Sequence, residues 1–416
     1  MAKMASKSKK QRLKKENSLP LVLISLTLGV LALMQNPYGL LSDIGNFYTF
    51  HFQDGQNQWP FSEKIFADET RVQHPVEYPA LTGLIMWLIS FLVTPTSTVH
   101  VDYYRITAAF QIVLLAISAY LIFKLAGKKY GFYFVLAPAV LYSLNRNWDI
   151  WAIVPMLFAI ILFERKKYIL SAIFLSVAIA TKFFPIVLML PIMIIFLRNR
   201  QISTLIKYGL TTLITWILIN LPFVLVDLEG WAYFYKFSAE RGLGSASFYE
   251  LVNIFIPGIK FSSIHFYILN ALVFLSVTAF FMKLKTVPTL AESSFFVMFA
   301  FILFNKQYSM QYVIWLTSLA AITLAYISKR NRESLIYIFV IWQVFELAFQ
   351  YSFFQKILTS TYANTDTPMT ITVSTNAYGS IGVIRYSLAV LFTFLLARYL
   401  HKANSSLAGQ SDIARN

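Results

Sequence analysis

The chain has 416 residues, 57% of them hydrophobic, with mean hydropathy +0.61, which excludes a soluble globular protein. Lys and Arg outnumber Asp and Glu by 35 to 19, for a net charge of +16. There is no Cys, so disulfide and thiol chemistry are excluded.

Taken in order, the chain begins with a basic segment, Lys7, Lys9, Lys10, Arg12, Lys14 and Lys15. This reads as the positive flank of a membrane protein rather than a nucleic-acid-binding tail, and residues 1–18 are expected to be a cytoplasmic tail. The first apolar run, 19–41, is too long for a signal-peptide core and reads as a retained anchor. Further runs follow at 80–94, 104–125, 132–144, 150–163, 169–180, 184–197, 205–226, 264–282, 293–304, 312–327, 335–353 and 381–400. Several fall short of the roughly 20 residues that a straight crossing needs, and read as broken helices lining a cavity. The fold class is therefore an all-α polytopic membrane protein with about 11–13 transmembrane or re-entrant helices, the count carrying the boundary error of hydropathy reading.

Residues 19–402 read as one embedded unit, with large outer loops at 42–79, 227–263 and 354–380 and a flexible tail at 403–416. The basic connections, such as Lys124 to Lys129, Arg165 to Lys167, Arg198 to Lys207 and Lys329 to Arg332, belong on the cytoplasmic side. That assignment leaves a conflict of parity: either 80–94 re-enters, or the Lys124 loop is external and 132–144 re-enters.

The opposite face collects the chemistry. Residues 42–79 carry Asp43, Asp54, Glu63, Asp68, Glu69, His74 and Glu77. Asp43 follows the first apolar run, where shielding by apolar neighbours would raise its pKa and suit a general base; a solvated helix end is the bland account. Glu77 and Tyr78 precede Pro79 at the mouth of a helix, where the dipole favours an acid and where both could bind sugar hydroxyls. Arg146 and Asp149 flank Asn147 and Trp148 at membrane depth, either as an interfacial ion pair or as a functional interior. Lys182 falls at a break before Pro185, which should push Phe184 out of helical geometry; it can snorkel or meet a phosphate. Lys306 lies among Asn305, Gln307, Tyr308, Gln311 and Tyr312, a set suited to hydroxyls and a phosphate or to an interfacial belt. The aromatic stretch Trp231 to Gly242 suits an interfacial helix or a lid. The five His are isolated, and no phosphate loop or nucleophile elbow is present.

An acid after the first span, Glu77-Tyr78-Pro79-Ala80-Leu81, Asn147-Trp148-Asp149, Ala180-Thr181-Lys182-Phe183-Phe184-Pro185 and Asn305 to Tyr312 occur in that order. This resembles glycosyltransferase family 87, polyprenyl-phosphate-mannose-dependent mannosyltransferases of the glycosyltransferase C superfamily. The family more often has a second Pro where this chain has Ala80, and the superfamily's Asp-x-Asp pattern is missing after Asp43. The resemblance implies a glycosyltransferase C-like fold and inverting sugar transfer, most often of mannose, from a polyprenyl phosphate. The acceptor would be a glycolipid or glycan on the outer face of the plasma membrane. It implies Asp43 as catalytic base and Lys182, Lys306 and Arg146 as donor-phosphate ligands. Glu77, Tyr78, Asp149, Gln311, Tyr312 and His74 would contact sugar or acceptor. No cofactor, metal or nucleic acid is expected. The rival expectation is a secondary transporter of a small polar or lipid-linked solute.

Overall fold

The computed structural model describes residues 17–52, 59–62, 64–65, 72–94, 98–244, 246–327, 329–361 and 373–413. The basic segment before residue 17 and the acids Asp54, Glu63, Asp68 and Glu69 lie outside them.

The described chain is almost wholly helical. Helices α1 (Leu19–Gln35) and α2 (Asp43–Phe52) come first, followed by an antiparallel ribbon of β1 (Lys64–Ile65) and β2 (Val72–Gln73). Then come α3 (Ala80–Ser90), α4 (Val99–Ala126), α5 (Lys128–Val135), α6 (Pro138–Ser143), α7 (Asp149–Glu164) and α8 (Tyr168–Thr181). A 3-10 turn, Phe184–Leu188, runs into α9 (Met189–Arg198), and α10 (Ile202–Val226), α11 (Leu228–Glu240) and α12 (Phe248–Phe255) follow. The rest is α13 (Ser263–Lys283), α14 (Leu290–Leu303), α15 (Tyr312–Thr323), α16 (Lys329–Thr361) and α17 (Thr375–Ile413).

Among the described residues, five segments are long and apolar enough to cross a bilayer: Val99–Ala126, Ile202–Val226, Ser263–Lys283, Asn331–Ile357 and Thr375–Lys402. Along α13 only Phe281 is buried, while Ile264, Ile268, Leu272 and Leu275 are exposed. In water that surface would cost about 25 cal/mol per Å², so lipid is its proper solvent and the chain is a membrane protein. At the other extreme, every residue of α15 is buried. A helix that is apolar on all sides belongs at the centre of a bundle, and α15 packs against α4, α5, α6, α7 and α14.

Contacts sort the helix ends into two groups. In one, Arg332 lies 5.6 Å from the Tyr130 ring and donates to the Leu324 carbonyl. There too Glu164 accepts from the Ala291 N–H, and Arg198 donates to the carbonyls of Phe281 and Leu284. These basic connections therefore share an end of the bundle. The other group gathers Asp43, the turn 144–148, Lys182 and the segment 304–311.

The parity conflict has a local answer. Helix α3 has 11 residues, about 16 Å of rise, against a hydrocarbon core of about 30 Å. It starts beside the site, where the Thr82 hydroxyl donates to the Thr181 carbonyl at 2.5 Å. Past its midpoint the Met86 carbonyl accepts from Tyr103, whose ring packs on Tyr48 of α2. These contacts tie α3 to the site's side of the bundle, and α4, with 28 residues, is the longer helix that follows. The 132–144 run is a broken traverse, interrupted where Pro138 opens α6.

Several boundaries differ from expectation. The anchor ends at Gln35, because Asn36 folds back on Leu40 through both its amide groups and Pro37 follows. The outer loop 42–79 contains α2 and the ribbon, and 227–263 contains α11 and α12. Of 354–380, only 362–374 separates α16 from α17, and 362–372 of it lies outside the described residues. Helix α17 continues to Ile413, through most of the expected flexible tail.

Candidate active site

The turn 144–148 is the platform on which the site is assembled. Its backbone receives α2: the Asp43 N–H donates to the Arg146 carbonyl at 3.0 Å and the Ser42 hydroxyl to the Asn145 carbonyl at 2.7 Å. This fixes the first residue of α2, and so Asp43, against a sequence-distant turn.

Asn147 then joins four groups. Its amide nitrogen donates to Asp43 Oδ2 at 2.8 Å and to the Tyr78 hydroxyl at 2.6 Å. Its amide oxygen accepts from Lys182 Nζ at 3.2 Å and from the Trp148 N–H at 2.6 Å. The orientation of the amide follows from its partners, since an ammonium can only donate and an ionised carboxylate can only accept. A carboxylate, a phenol and an ammonium from three separate segments thus converge on one side chain.

Asp43 is exposed and lines the cleft. The enclosing protein displaces water and raises its pKa above the ordinary carboxylate value; the Asn147 hydrogen bond and the Lys182 charge pull it partly back. Glu77, half-buried in the same cleft, is also raised by burial, against the charge of Arg241. Burial and the neighbouring acids push Tyr78 well above the usual phenol value, so it stays protonated and available to donate.

Lys182 ends α8 in extended geometry, with φ −142° and ψ 134°. The break occurs two residues earlier than Pro185 implied: Phe184 keeps helical geometry, opening the 3-10 turn, and Pro185 occupies one of that turn's first positions. The ammonium sits 3.3 Å from Asp149 Oδ2 and 4.4 Å from the centre of the Tyr78 ring. Its side chain keeps 12% exposure, into the cleft.

The cleft has a volume of about 410 Å³. Of the residues singled out in the sequence, Asp43, Glu77, Tyr78, Lys182, Lys306, Gln311 and Tyr312 line it. Its apolar wall includes Phe47, Phe183, Phe184, Phe234, Phe266 and Phe301. Lys306 is more constrained than expected: its ammonium donates to the Ala239 carbonyl at 2.8 Å and lies 5.4 Å from the Phe266 ring.

Three expected ligands lie elsewhere. Asp149 is fully buried, committed to Lys182 and to the Trp315 indole N–H at 2.7 Å. It therefore acts on the cleft through Lys182 and forms no pair with Arg146. His74 is stacked at 5.6 Å on Tyr233, away from the cleft. Arg146 faces a neighbouring cavity instead, because its guanidinium turns toward the Leu40 and Tyr142 carbonyls.

Two groups escaped the sequence reading. Asn147 stood inside a quoted motif, but an amide's role as a hub shows only when its partners are in place. Arg241 follows α11, which forms one side of the cleft through Phe234, Phe237, Ser238 and Ala239. The placement of α11 depends on two close approaches. A Cβ on Gly230 would fall 1.4 Å from the Phe61 carbonyl oxygen, and one on Gly244 would fall 1.6 Å from Gln307 Nε2. No group of three acidic or His side chains able to hold a metal is found among the described residues.

Fold and site together define a helical membrane protein with an accessible carboxylate and two lysines in an aromatic cleft at one end of its bundle. No protein-family model matches the chain, and no curated protein matches it. Among solved structures, ArnT from Cupriavidus metallidurans is similar in trace, both bound to undecaprenyl phosphate and in the apo state. In each case the sequences are 13% identical and the match covers 95% of this chain and 79% of ArnT, with TM-scores of 0.46 and 0.47.

Proposed function

We propose that this chain is a membrane glycosyltransferase that moves a hexose, mannose by its motifs, from a polyprenyl phosphate to a glycolipid or glycan hydroxyl. The observation that carries the reading is the Asn147 hub, which joins an accessible carboxylate and a cation in an aromatic cleft at one end of the bundle. Positive-inside logic puts the clustered basic connections in the cytoplasm, and so the cleft on the extracytoplasmic face of the plasma membrane.

The chemistry follows from the parts. Asp43 accepts the proton of the acceptor hydroxyl as its oxygen attacks the anomeric carbon. The bond from that carbon to the phosphate oxygen breaks on the opposite face, inverting the configuration, and polyprenyl phosphate leaves with the electron pair. Lys182 and Lys306 supply positive charge to the departing phosphate in a site of low dielectric, where such charge is most effective. Glu77, Tyr78, Gln311 and Tyr312 offer hydrogen bonds to hydroxyls, and the phenylalanine wall suits the first isoprene units. The reaction so written uses no cofactor.

The test uses purified protein in lipid, radiolabelled polyprenyl-phosphate mannose and a membrane glycolipid extract. Wild type should move label to glycolipid, and Asp43→Asn should lose a factor of about 10²–10⁴ in rate, the range for a general base, while still binding donor. Undiminished turnover in Asp43→Asn would remove it from the chemistry. Absence of both donor binding and transfer in wild type would defeat the reading and favour a transporter.

A further inference from the structure

The turn 144–148 offers three consecutive carbonyls, and each accepts a hydrogen bond from a distant part of the chain. The Asn145 carbonyl accepts from the Ser42 hydroxyl at 2.7 Å, and the Arg146 carbonyl from the Asp43 N–H at 3.0 Å. These two hold α2 on the turn. The third carbonyl, of Asn147, accepts from the side-chain amide nitrogen of Gln111 at 2.8 Å. A carbonyl can only accept, so the Gln111 amide is fixed with its nitrogen toward the turn. This bond reaches the backbone of the residue whose side chain joins Asp43, Tyr78 and Lys182.

Gln111 stands outside the sequence motifs. It lies near the middle of α4, between Phe110 and Ile112, in the segment Val99–Ala126 that is able to cross the bilayer. It is fully buried and is not among the residues lining the cleft. An amide is costly to bury in such a place unless it makes a bond, and this one bonds to the hub. Helix α4 is itself anchored: it packs on α7 and on α2, where Tyr103 meets Tyr48 with ring centres 5.1 Å apart. The turn is therefore tied to both α2 and α4, which also pack on each other. Without the Gln111 bond the Asn147 peptide would gain freedom to rotate, and the 2.8 Å contact with Asp43 Oδ2 would loosen.

We infer that Gln111 is a positioning residue: it touches no ligand, and through the Asn147 backbone it sets the aim of the Asn147 amide on Asp43. The inference rests on the transferase reading for what Asp43 does, but its labelling test needs no transfer.

The readout is the titration of Asp43 in the full chain in lipid. A hydrophobic carbodiimide reacts with a carboxyl in its protonated form, so labelling of the Asp43 peptide, followed by mass spectrometry across pH, gives the midpoint of that acid. The charges that act on Asp43 are those of Lys182, Asp149 and Arg241, and Arg146 and Glu77 also sense it. None of these is on α4, so a change at Gln111 leaves all of them in place. The Asn147 hydrogen bond favours the carboxylate, so loosening it moves the midpoint to higher pH. Asn147→Ala should raise the midpoint by about one unit, the scale of one charged hydrogen bond. Gln111→Met keeps the volume and removes the donor. It should raise the midpoint by about half a unit or more and lower transfer by about tenfold or more. Gln111→Asn, whose amide is one methylene too short, should act likewise, and it serves if methionine disturbs the packing of α4. In the Asn147→Ala background neither change should move the midpoint further, because the group that Gln111 aims is gone. An unmoved midpoint in both Gln111 variants overturns the inference, and so does a shift that adds to that of Asn147→Ala. The expected shifts, in a protein that transfers no sugar, would uphold the role of Gln111 and defeat the transferase reading.

Discussion

Two buried ion pairs lie among the described residues, and they differ in what their cations can reach. Lys182 and Asp149 meet at 3.3 Å, with the lysine open to the cleft. Arg385 and Glu346 meet at 3.8 Å, both only 1% exposed, on α17 and α16. Arg385 is enclosed by Phe349 at 3.7 Å, Tyr308 at 4.0 Å and Tyr386 at 4.7 Å, and it donates to the Ala246 carbonyl. Glu346 accepts from Tyr308 and from Trp342, each at 3.0 Å. The sealed pair locks two C-terminal helices to the segment 304–311, whose side chains line both cavities. The open pair uses a buried acid to hold a cation where a ligand can meet it. Opposite charges in a low dielectric are therefore not one device: access decides whether a pair is scaffold or site.

The largest effect should come from breaking the sealed pair. Arg385→Met leaves Glu346 uncompensated and should cost about 3–5 kcal/mol of stability, seen as a large drop in thermal midpoint in detergent. Adding Glu346→Gln keeps the acceptor for Tyr308 and Trp342, and should recover most of the loss. A midpoint unmoved by Arg385→Met would dissolve the contrast.

Breaking the open pair should be read in rate. Lys182→Met should lower transfer by about 10²–10³, the scale of one charge-stabilising donor. The double variant Lys182→Met with Asp149→Asn should restore stability without restoring transfer. Recovery of transfer in that double variant would make Lys182 scaffold like Arg385.

The smallest effect is a shift in pH. As the proposed base, Asp43 would work as the carboxylate, so transfer should be present above its pKa and lost below it. Burial already moves that acid limb above the ordinary carboxylate range, and the Asn147 hydrogen bond and Lys182 charge restrain the move. Asn147→Ala removes one restraint, so its acid limb should lie at higher pH than in wild type. A limb that stays put or moves to lower pH would separate Asn147 from the base.

What the sequence disclosed follows the same contrast. Asp43, Glu77, Tyr78, Lys182 and Lys306 were legible because each is a polar group at the end of an apolar run. Asp149 looked like a ligand for the same reason, and only its contacts with Trp315 and Lys182 show that it is turned inward. Arg146 was legible as functional, but nothing local says which of two adjoining cavities it faces. Glu346 and Arg385 gave a signal, a charge within an apolar helix, yet their pairing spans two helices that no motif links. The short α3 was ambiguous because hydropathy measures apolar length and not direction.

The buried α15 has a consequence for the order in which the protein can be made. A chain is synthesised from its N-terminus, at about 5–20 residues per second. By residue 311 the ribosome has supplied the turn that carries Asn147, both lysines of the cleft and α11. Yet the central slot is still vacant, and Asp149 still lacks the Trp315 indole. The groups that line the cleft are thus delivered early to a structure that closes around a late arrival. The final packing of the earlier helices therefore waits until residues 312–323 emerge to fill the centre.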